Sequence, residues 1–248
     1  MIRAPFLKEI YLHDFNFDSN TFPFSIPFIK NNNFHLKIHS PVIIISGDNG
    51  SGKSTILKSI AFNCNFNLNG GSNQHNFDSN ESASLLNKHL KFLWNIKVSN
   101  GFYLRSDNFI NFANFIDEQA KEHGEVIAYK YYGGKSLNQQ SHGEALLSLF
   151  FNRFNEEGIY ILDEPEVALS PEKILALMRI IKKLTDNGKS QFIIATHSSM
   201  LMAYPYAQFF YIKNNHIEET SYDETEHYTL TKSFLDCPER YFKHLFDD

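Results

Sequence analysis

A short glycine-rich stretch constrains the fold of this chain more than any other feature. Residues 46–55 read SGDNGSGKST and fit the pattern G-x-x-x-x-G-K-[ST]. Residues 42–45 before it are β-branched without a polar break, as a strand buried on both faces requires. Residues 56–62 after it carry apolar side chains at helical spacing. A strand, a glycine loop and a helix in this order predict a phosphate-binding loop, or P-loop.

The residue types in this loop suit a nucleoside triphosphate. Glycines let the backbone approach the phosphates, and the following helix N-terminus adds a partial positive charge. We expect the Lys53 ammonium to reach the β- and γ-phosphates and the Ser54 hydroxyl to hold Mg²⁺. The predicted nucleotide-binding residues are Gly47, Asp48, Asn49, Gly50, Ser51, Gly52, Lys53, Ser54 and Thr55. The sequence lacks an N-K-x-D guanine motif, which favours ATP over GTP.

Composition is ordinary and excludes few functions. The chain has 248 residues, enough for one large α/β domain or two small ones, and its hydrophobic content is 42%. A net charge of −5 gives no overall attraction to nucleic acid. Two cysteines are too few for a disulfide framework, the start lacks a signal-peptide core, and no run of about 18 apolar residues occurs. We therefore expect a cytoplasmic protein without a membrane span.

The segments around the P-loop predict further elements. Residues 6–12 and 34–38 alternate between apolar and polar side chains, which indicates an N-terminal antiparallel β part. Residues 13–33 are rich in Asn, Phe and Pro, so we expect an irregular surface excursion, and an aromatic from 11–28 could stack on adenine. Other predictions for the first part of the chain are a mobile polar insertion at 63–80, an apolar segment at 85–98, a strand at 101–105, an amphipathic helix at 109–116 and a flexible link at 121–140.

A second helix is predicted to begin at Ser141-His142-Gly143-Glu144 and to continue through a strongly apolar segment. The pattern S-x-x-E is typical of a helix capping box. It also suits phosphate, because a serine hydroxyl, backbone N–H groups and the helix dipole point the same way. Two such devices on one chain cannot easily grip one triphosphate from the same side. We therefore predict two subunits, each offering its P-loop to the serine helix of the other.

Two adjacent acids follow a buried apolar strand predicted at 158–163. We expect this strand to lie beside the P-loop strand and to deliver Asp163 to Mg²⁺ through water. Glu164 follows where an attacking water would sit, and a carboxylate there can act as general base for in-line attack. A helix is predicted next over 170–187, with Ser170 as its N-cap.

A histidine ends the next buried strand, predicted at 191–196. A lone histidine is usually structural, but the carboxyl edge of a parallel sheet is where ligands bind. We therefore expect His197 to hydrogen-bond the γ-phosphate or the attacking water. The predicted catalytic residues are Glu164 and His197, and the predicted metal-binding residues are Ser54 and Asp163.

The ordered succession GDNGSGKST, SHGE, YILDEPE, ALSP and ATHS resembles the ATP-binding-cassette (ABC) ATPases. The resemblance implies an α/β P-loop NTPase fold, with a mostly parallel sheet flanked by helices, an N-terminal antiparallel β part and a helical signature-motif subdomain. It implies one ATPase domain over 1–248, with a helical and insertion subregion at about 63–156. It also implies ATP and Mg²⁺ as cofactors and an ATP-dependent, head-to-tail homodimer in which Ser141 and Gly143 read the partner's γ-phosphate.

Several positions depart from transporter cassettes. Glu166 stands where those proteins usually have threonine, residues 168–171 lack the aspartate of the D-loop, and His142 replaces a usual glycine. No Q-loop glutamine follows the strand at 101–105, where Asp107 or Asn108 could substitute. The motif DEPE followed by ALSP is more similar to the motifs of the SMC and RecF-like branch, and of small stand-alone ATPases of the AAA or ABC-like type, than to those of transporter cassettes.

Three functions follow from this reading. The first is a soluble ATPase switch or motor that acts on a partner protein or on nucleic acid, as in DNA maintenance or phage defence. The alternative is the nucleotide-binding subunit of an ABC transporter, and the third is a nucleotide sensor without turnover.

In the tail we predict a strand at 207–213, a turn at 214–215 and a terminal helix at 241–246. Its residues Glu224, Glu226 and His227 suit a polar helix start better than a metal site.

Overall fold

The computed structural model describes residues 3–31, 34–68, 70–71, 81–154 and 157–246. Its strands are β1 Leu7–Leu12, β2 His35–Lys37, β3 Val42–Gly47, β4 Leu90–Trp94, β5 Gly101–Arg105, β6 Gly158–Asp163, β7 Ser190–Ala195, β8 Gln208–Lys213 and β9 His216–Glu219. Its helices are α1 Pro27–Lys30, α2 Lys53–Asn63, α3 Glu81–His89, α4 Phe109–His123, α5 Glu125–Ala128, α6 His142–Arg153, α7 Pro171–Asp186, α8 Ser199–Met202, α9 Glu226–Asp236 and α10 Pro238–Phe246.

The main sheet has six strands in the order β5-β6-β7-β3-β8-β9. The first five in this order run parallel, and only β9 is antiparallel to its neighbour. The expected α/β fold with a mostly parallel sheet is thus confirmed. The expectation that the strand of Asp163 lies beside the P-loop strand was wrong, because β7 inserts between β6 and β3.

The P-loop strand β3 shows why this sheet is buried on both faces. Val42 and Ile44 point into one hydrophobic cluster, which α4, α6 and α7 complete. Ile43 and Ile45 point into a second cluster, which α2 and the small N-terminal sheet complete. The alternation follows from the two-residue period of a strand. An unbroken apolar run therefore places the loop after β3 at the end of an interior strand of the sheet.

The predicted N-terminal antiparallel part is confirmed as a small sheet in the order β2-β1-β4. Ile10 of β1 pairs with Leu36 on one side and with Phe92 on the other. The third strand comes from the apolar segment predicted at 85–98, which divides into α3 and β4. The excursion at 13–33 is mostly irregular, as expected, but it buries a set of side chains over the P-loop: Phe24, Ile26, Phe28 and Ile29.

Two loop predictions need correction. The segment predicted as a flexible link at 121–140 contains the end of α4, α5 and a 3₁₀ turn, and it buries Tyr129, Tyr132 and Leu137. These side chains pack on the main core, so the segment is an ordered connection. In the insertion predicted at 63–80, residues 69 and 72–80 lie outside the described residues. The described part buries Phe66 and Leu68 and is therefore not a plain solvated loop.

The remaining predicted elements are present. The strand at 101–105 is β5, the predicted helix at 109–116 extends to His123 in α4, and the serine helix is α6. The tail forms β8, a turn in which Asn214 and Asn215 take positive φ, and a helical hairpin of α9 and α10. No helix in the described part of the chain is both long enough and apolar enough to cross a membrane.

Candidate nucleotide site

The P-loop has the backbone geometry that its glycines predict. Gly52 is the N-cap of α2 and has φ of +102°, which a residue with a Cβ rarely adopts. A Cβ on Gly52 would also lie 2.8 Å from the Ile26 side chain. The glycine is therefore required both by the turn into α2 and by the close packing of the N-terminal excursion against the loop.

Lys53 lies inside the loop, with only 4% of its surface exposed. Its Nζ donates hydrogen bonds to the carbonyl oxygens of Gly47 and Asp48, both at 2.9 Å. Burial lowers the pKa of Lys53, and the nearby carboxylates of Glu164 and Asp163 oppose that shift. The ammonium is thus held above the loop by polar backbone groups and has acidic side chains close by.

A cavity of about 200 Å³ opens beside the loop and is lined by both predicted site residues and new ones. Its lining residues are Phe22, Ile26, Asn49, Gly50, Gly52, Lys53, Ser54, Thr55 and Glu164. Asp48 and Ser51 line a neighbouring cavity on the other side of the loop. The aromatic that the N-terminal excursion brings to the cavity is Phe22, whose side chain is 60% exposed.

Ser54 and Asp163, the predicted metal-binding pair, are in contact, although β3, which leads to Ser54, and β6, which ends at Asp163, are not adjacent in the sheet. Ser54 Oγ donates to Asp163 Oδ1 at 3.1 Å, and the buried Tyr103 hydroxyl donates to Asp163 Oδ2 at 3.3 Å. Burial is the main cause that raises the pKa of Asp163 to about 6; Glu164 raises it further, and the Ser54 hydrogen bond opposes the shift. Tyr103 was missed, because from the sequence it is only one more residue of a buried strand.

These oxygen atoms fit Mg²⁺. A hard cation prefers carboxylate and hydroxyl oxygens, and Mg²⁺ usually takes one or two protein ligands together with water and phosphate oxygens. The described residues contain no cluster of three or more His, Cys, Asp or Glu side chains able to hold a metal ion. The Ser54 hydroxyl and the Asp163 carboxylate are oxygen groups of the kind that Mg²⁺ takes from a protein.

Glu164 is held in place through its backbone. It adopts a left-handed conformation with φ of 51° and ψ of 54°, which costs a non-glycine residue on the order of 1–3 kcal/mol. Its N–H donates to the Ala195 carbonyl at 2.9 Å, and its carbonyl accepts a hydrogen bond from Ser106 Oγ at 2.6 Å. These two bonds fix the bend that turns the Glu164 side chain toward the cavity.

Ser106 was not among the predicted site residues. It follows β5, where the sequence analysis named Asp107 or Asn108 as a Q-loop substitute. Asp107 instead pairs with Arg105, with 2.6 Å between Nη2 and Oδ2. The residue of this turn that contacts the Glu164 backbone is therefore Ser106.

The structure brings His197 next to Glu164. His197 Nε2 lies 3.6 Å from Glu164 Oε1, beyond hydrogen-bond distance, and it is buried without a hydrogen-bond partner among the described residues. Burial lowers the pKa of His197, and the Lys53 charge lowers it further, while Glu164 raises it. The imidazole is therefore neutral at neutral pH, and its Nε2 faces the predicted water-activating carboxylate.

Glu166 also reaches this part of the site. Its Oε1 accepts hydrogen bonds from the backbone N–H groups of His197 at 2.7 Å and Ser198 at 3.1 Å. From the sequence, Glu166 was only a departure from the transporter pattern. The contact could not be predicted, because the two residues it joins follow different strands.

The tetrapeptide at the start of α6 forms the capping box that its sequence indicates. Ser141 N–H and Oγ both donate to Glu144 Oε2, at 3.0 and 2.6 Å. These bonds lower the pKa of Glu144. A Cβ on Gly143 would lie 2.6 Å from the Ala168 carbonyl, so this helix end packs on the segment after Glu164. None of residues 141–144 lines the cavity beside the P-loop in the same chain.

The tail residues take structural partners. Glu226 pairs with Lys213 at 2.6 Å, and Glu224 accepts a hydrogen bond from Thr220 Oγ1 at 2.8 Å. His227 Nδ1 lies 3.3 Å from the Tyr222 hydroxyl. These contacts agree with the prediction of a polar helix start.

The family model described as "AAA domain, putative AbiEii toxin, Type IV TA system" matches residues 144–203. Among solved structures, the chain is similar to the ATP-binding cassette MJ0796 in a dimeric post-hydrolysis state bound to ADP and Pi. That similarity has 17% sequence identity and a TM-score of 0.43, and it covers 77% of this chain and 89% of the other. A comparison with curated proteins gave no significant match.

The family match spans the segment that carries Asp163, Glu164 and His197. The strand order places this segment against the glycine loop, and the Ser54–Asp163 hydrogen bond joins the two. Residues 144–203 are thus similar to an AAA domain, and they lie against a loop with the sequence and backbone geometry of a P-loop.

Proposed function

We propose that the chain binds ATP with Mg²⁺ and hydrolyses it to ADP and phosphate. The observation that carries this proposal is that Lys53, Ser54 and Glu164 line one cavity. Asp163 accepts a hydrogen bond from Ser54, and His197 lies 3.6 Å from Glu164. A triphosphate site needs positive charge on the phosphates, oxygen ligands for the cation and a base for water. The described residues supply all three from different strand ends.

Each side chain has a distinct role in the proposed reaction. Lys53 binds the β- and γ-phosphates, while Ser54 and Asp163 hold Mg²⁺, which neutralises phosphate charge when bound. Glu164 takes a proton from water as the water oxygen bonds to the γ-phosphorus and the bond from phosphorus to the β–γ bridging oxygen breaks. His197, neutral at neutral pH, orients the water or a γ-phosphate oxygen through Nε2.

We propose that a second copy completes the site. Ser141 is exposed and lies outside the cavity of its own chain, although its helix end suits phosphate. Val167, in the segment that follows Glu164, is 68% exposed, and the Gly143 turn packs on the carbonyl of the next residue, Ala168. In a head-to-tail pair, residues 141–144 of one chain would face the P-loop of the other.

We propose that this ATPase is a cytoplasmic switch or motor for a partner protein or a nucleic-acid process. The match to a family described by a putative toxin of a toxin–antitoxin system favours a role in defence. The alternative role, as a transporter subunit, needs a loop after β5 that is free to couple to a membrane partner. Here Ser106 bonds to Glu164 and Asp107 pairs with Arg105, which favours the first role.

The test is Glu164→Gln with ATP and Mg²⁺, using light scattering for size and phosphate release for turnover. We expect a stable dimer and a fall in turnover of about 10²–10⁴-fold, the usual contribution of a general base. The control is the same variant without nucleotide, which should remain monomeric. A monomer under saturating ATP contradicts the dimer, and unchanged turnover contradicts the role of Glu164.

A further inference from the structure

The Glu166 side chain joins the two chain segments that carry the proposed catalytic pair. It lies in the 3₁₀ turn Pro165–Ala168, directly after Glu164. Its carboxylate crosses to the end of β7 and accepts the N–H groups of His197 at 2.7 Å and Ser198 at 3.1 Å. Its other oxygen is buried and has no hydrogen-bond partner among the described residues.

The hydrogen bonds of Glu166 lie just beyond the end of the pairing between β6 and β7. Strands β6 and β7 pair as far as Asp163 and Ala195, and the Glu164 N–H makes one further bond to the Ala195 carbonyl. Beyond that point the two segments separate, and backbone bonds no longer fix the His197 segment to the Glu164 segment. Glu166 makes the next connection between them, through a side chain.

The His197 amide depends on this connection more than its neighbour does. The Ser198 N–H also donates to Thr196 Oγ1 at 3.0 Å, whereas Glu166 is the acceptor the structure gives to the His197 N–H. The His197 amide is partly buried, and a backbone N–H withdrawn from water is disfavoured without an acceptor. Loss of the carboxylate would therefore let the His197 segment shift and change the separation of 3.6 Å between His197 Nε2 and Glu164 Oε1.

We propose that Glu166 is a positioning residue for ATP hydrolysis, because it fixes the His197 backbone so that the imidazole lies beside Glu164, which lines the cavity. The inference rests on the proposed hydrolysis. Glu166 acts through His197. This role needs an acceptor oxygen within hydrogen-bond distance of the His197 and Ser198 N–H groups, and it does not need a negative charge.

Two conservative variants separate reach from charge. Glu166→Gln keeps the length and one acceptor oxygen but removes the charge. Glu166→Asp keeps the charge but is one methylene too short to reach both amides. The matched controls are Glu172→Gln and Glu172→Asp, at an exposed acid in the first turn of α7.

The first measurement is turnover with ATP and Mg²⁺. We expect Glu166→Asp to lower kcat by about 10–100-fold with KM changed by less than about twofold, because misplacing a catalytic group costs turnover more than binding. Glu166→Gln should stay within about threefold of wild type. Both Glu172 variants should match wild type.

The second measurement is hydrogen exchange of the His197 amide without nucleotide, which needs no hydrolysis. We expect exchange at least about tenfold faster in Glu166→Asp and unchanged in Glu166→Gln, since exchange reports local opening. If wild type turns over no ATP but this pattern appears, the proposed function fails and the connection stands. Protected His197 in Glu166→Asp overturns the connection. Loss of turnover in Glu166→Gln with His197 still protected overturns the positioning role.

Discussion

Two helix N-termini in this chain suit phosphate, and they differ in how they are satisfied. The N-terminus of α2 is capped by a glycine and surrounds a buried lysine. The N-terminus of α6 is closed by its own side chains, because Glu144 accepts both hydrogen bonds from Ser141. The first is a cavity within one chain, and the second is an exposed surface. In the proposed head-to-tail pair, the second end would become a binding site only against the other copy.

The largest effect is expected at the buried end. Lys53→Ala should reduce ATP binding and turnover by about 10²–10³-fold, because it removes the charge-assisted contacts to two phosphates. Fluorescent nucleotide titration and phosphate release measure this. Lys183→Ala, at an exposed lysine on α7, is the control. Near-normal binding in Lys53→Ala would mean that the α2 end is not the triphosphate site.

A substitution at the exposed N-terminus of α6 should lower ATP turnover and leave ATP binding almost unchanged. Ser141→Ala is expected to lower kcat by about 10–100-fold with little change in nucleotide affinity, because the hydroxyl meets phosphate only when two copies close. The matched control is Ser221→Ala, since Ser221 and Glu224 form another S-x-x-E capping box, which does not line the cavity. Both variants lose a cap. Equal turnover in Ser141→Ala and Ser221→Ala would show that Ser141 serves only as a structural cap of α6.

The buried acid gives the comparison a pH dependence. The pKa of Asp163 is raised from 3.8 to about 6. Between these two pH values the folded protein keeps a proton on Asp163 that the unfolded chain has already released. The stability from this proton is complete below about pH 4 and is lost as pH rises through 6. Asp163→Asn should therefore raise the free energy of unfolding at pH 8 by on the order of 2 kcal/mol and change little at pH 4.

Urea unfolding of the nucleotide-free protein at the two pH values measures this change. Asp236→Asn, at the exposed end of α9, is the control and should show no such pH dependence. A loss of stability in Asp163→Asn at pH 8 would show that the Ser54 and Tyr103 hydrogen bonds outweigh the burial of the charge.

The smallest effect concerns the aromatic at the edge of the cavity. Phe22→Ala should raise KM for ATP by about 5–10-fold without changing kcat, because stacking on a base is worth at least about 1 kcal/mol. Phe15→Ala is the control: Phe15 lies in the same excursion, is 52% exposed and does not line the cavity. Equal KM values in the two variants would show that adenine binds elsewhere.

The sequence predicts the site wherever one short segment determines the geometry. The glycines, Lys53 and Ser54 form a local unit, and Asp163, Glu164 and His197 each follow an apolar strand whose end must meet the same edge of the sheet. This regularity made these positions predictable without knowledge of the strand order.

Contacts between strand ends were not predictable. Tyr103, Ser106 and Glu166 each bond to a residue that follows a different strand. Their partners depend on strand order, and the predicted order, with the strand of Asp163 next to the P-loop strand, was wrong. The glycines of the segment at 121–140 likewise suggested a flexible link, while buried tyrosines decide its packing.

The central claim is that the P-loop cavity is half of a site and that a second copy supplies the rest. Mixing Lys53→Ala and Ser141→Ala chains tests it most directly. In a head-to-tail pair of the two variants, one site combines an intact P-loop with an intact serine helix. We predict that the equimolar mixture, with ATP and Mg²⁺, recovers about a quarter of the wild-type turnover per chain, while each variant alone is nearly inactive. A mixture no more active than the average of the two separate variants would contradict the shared site.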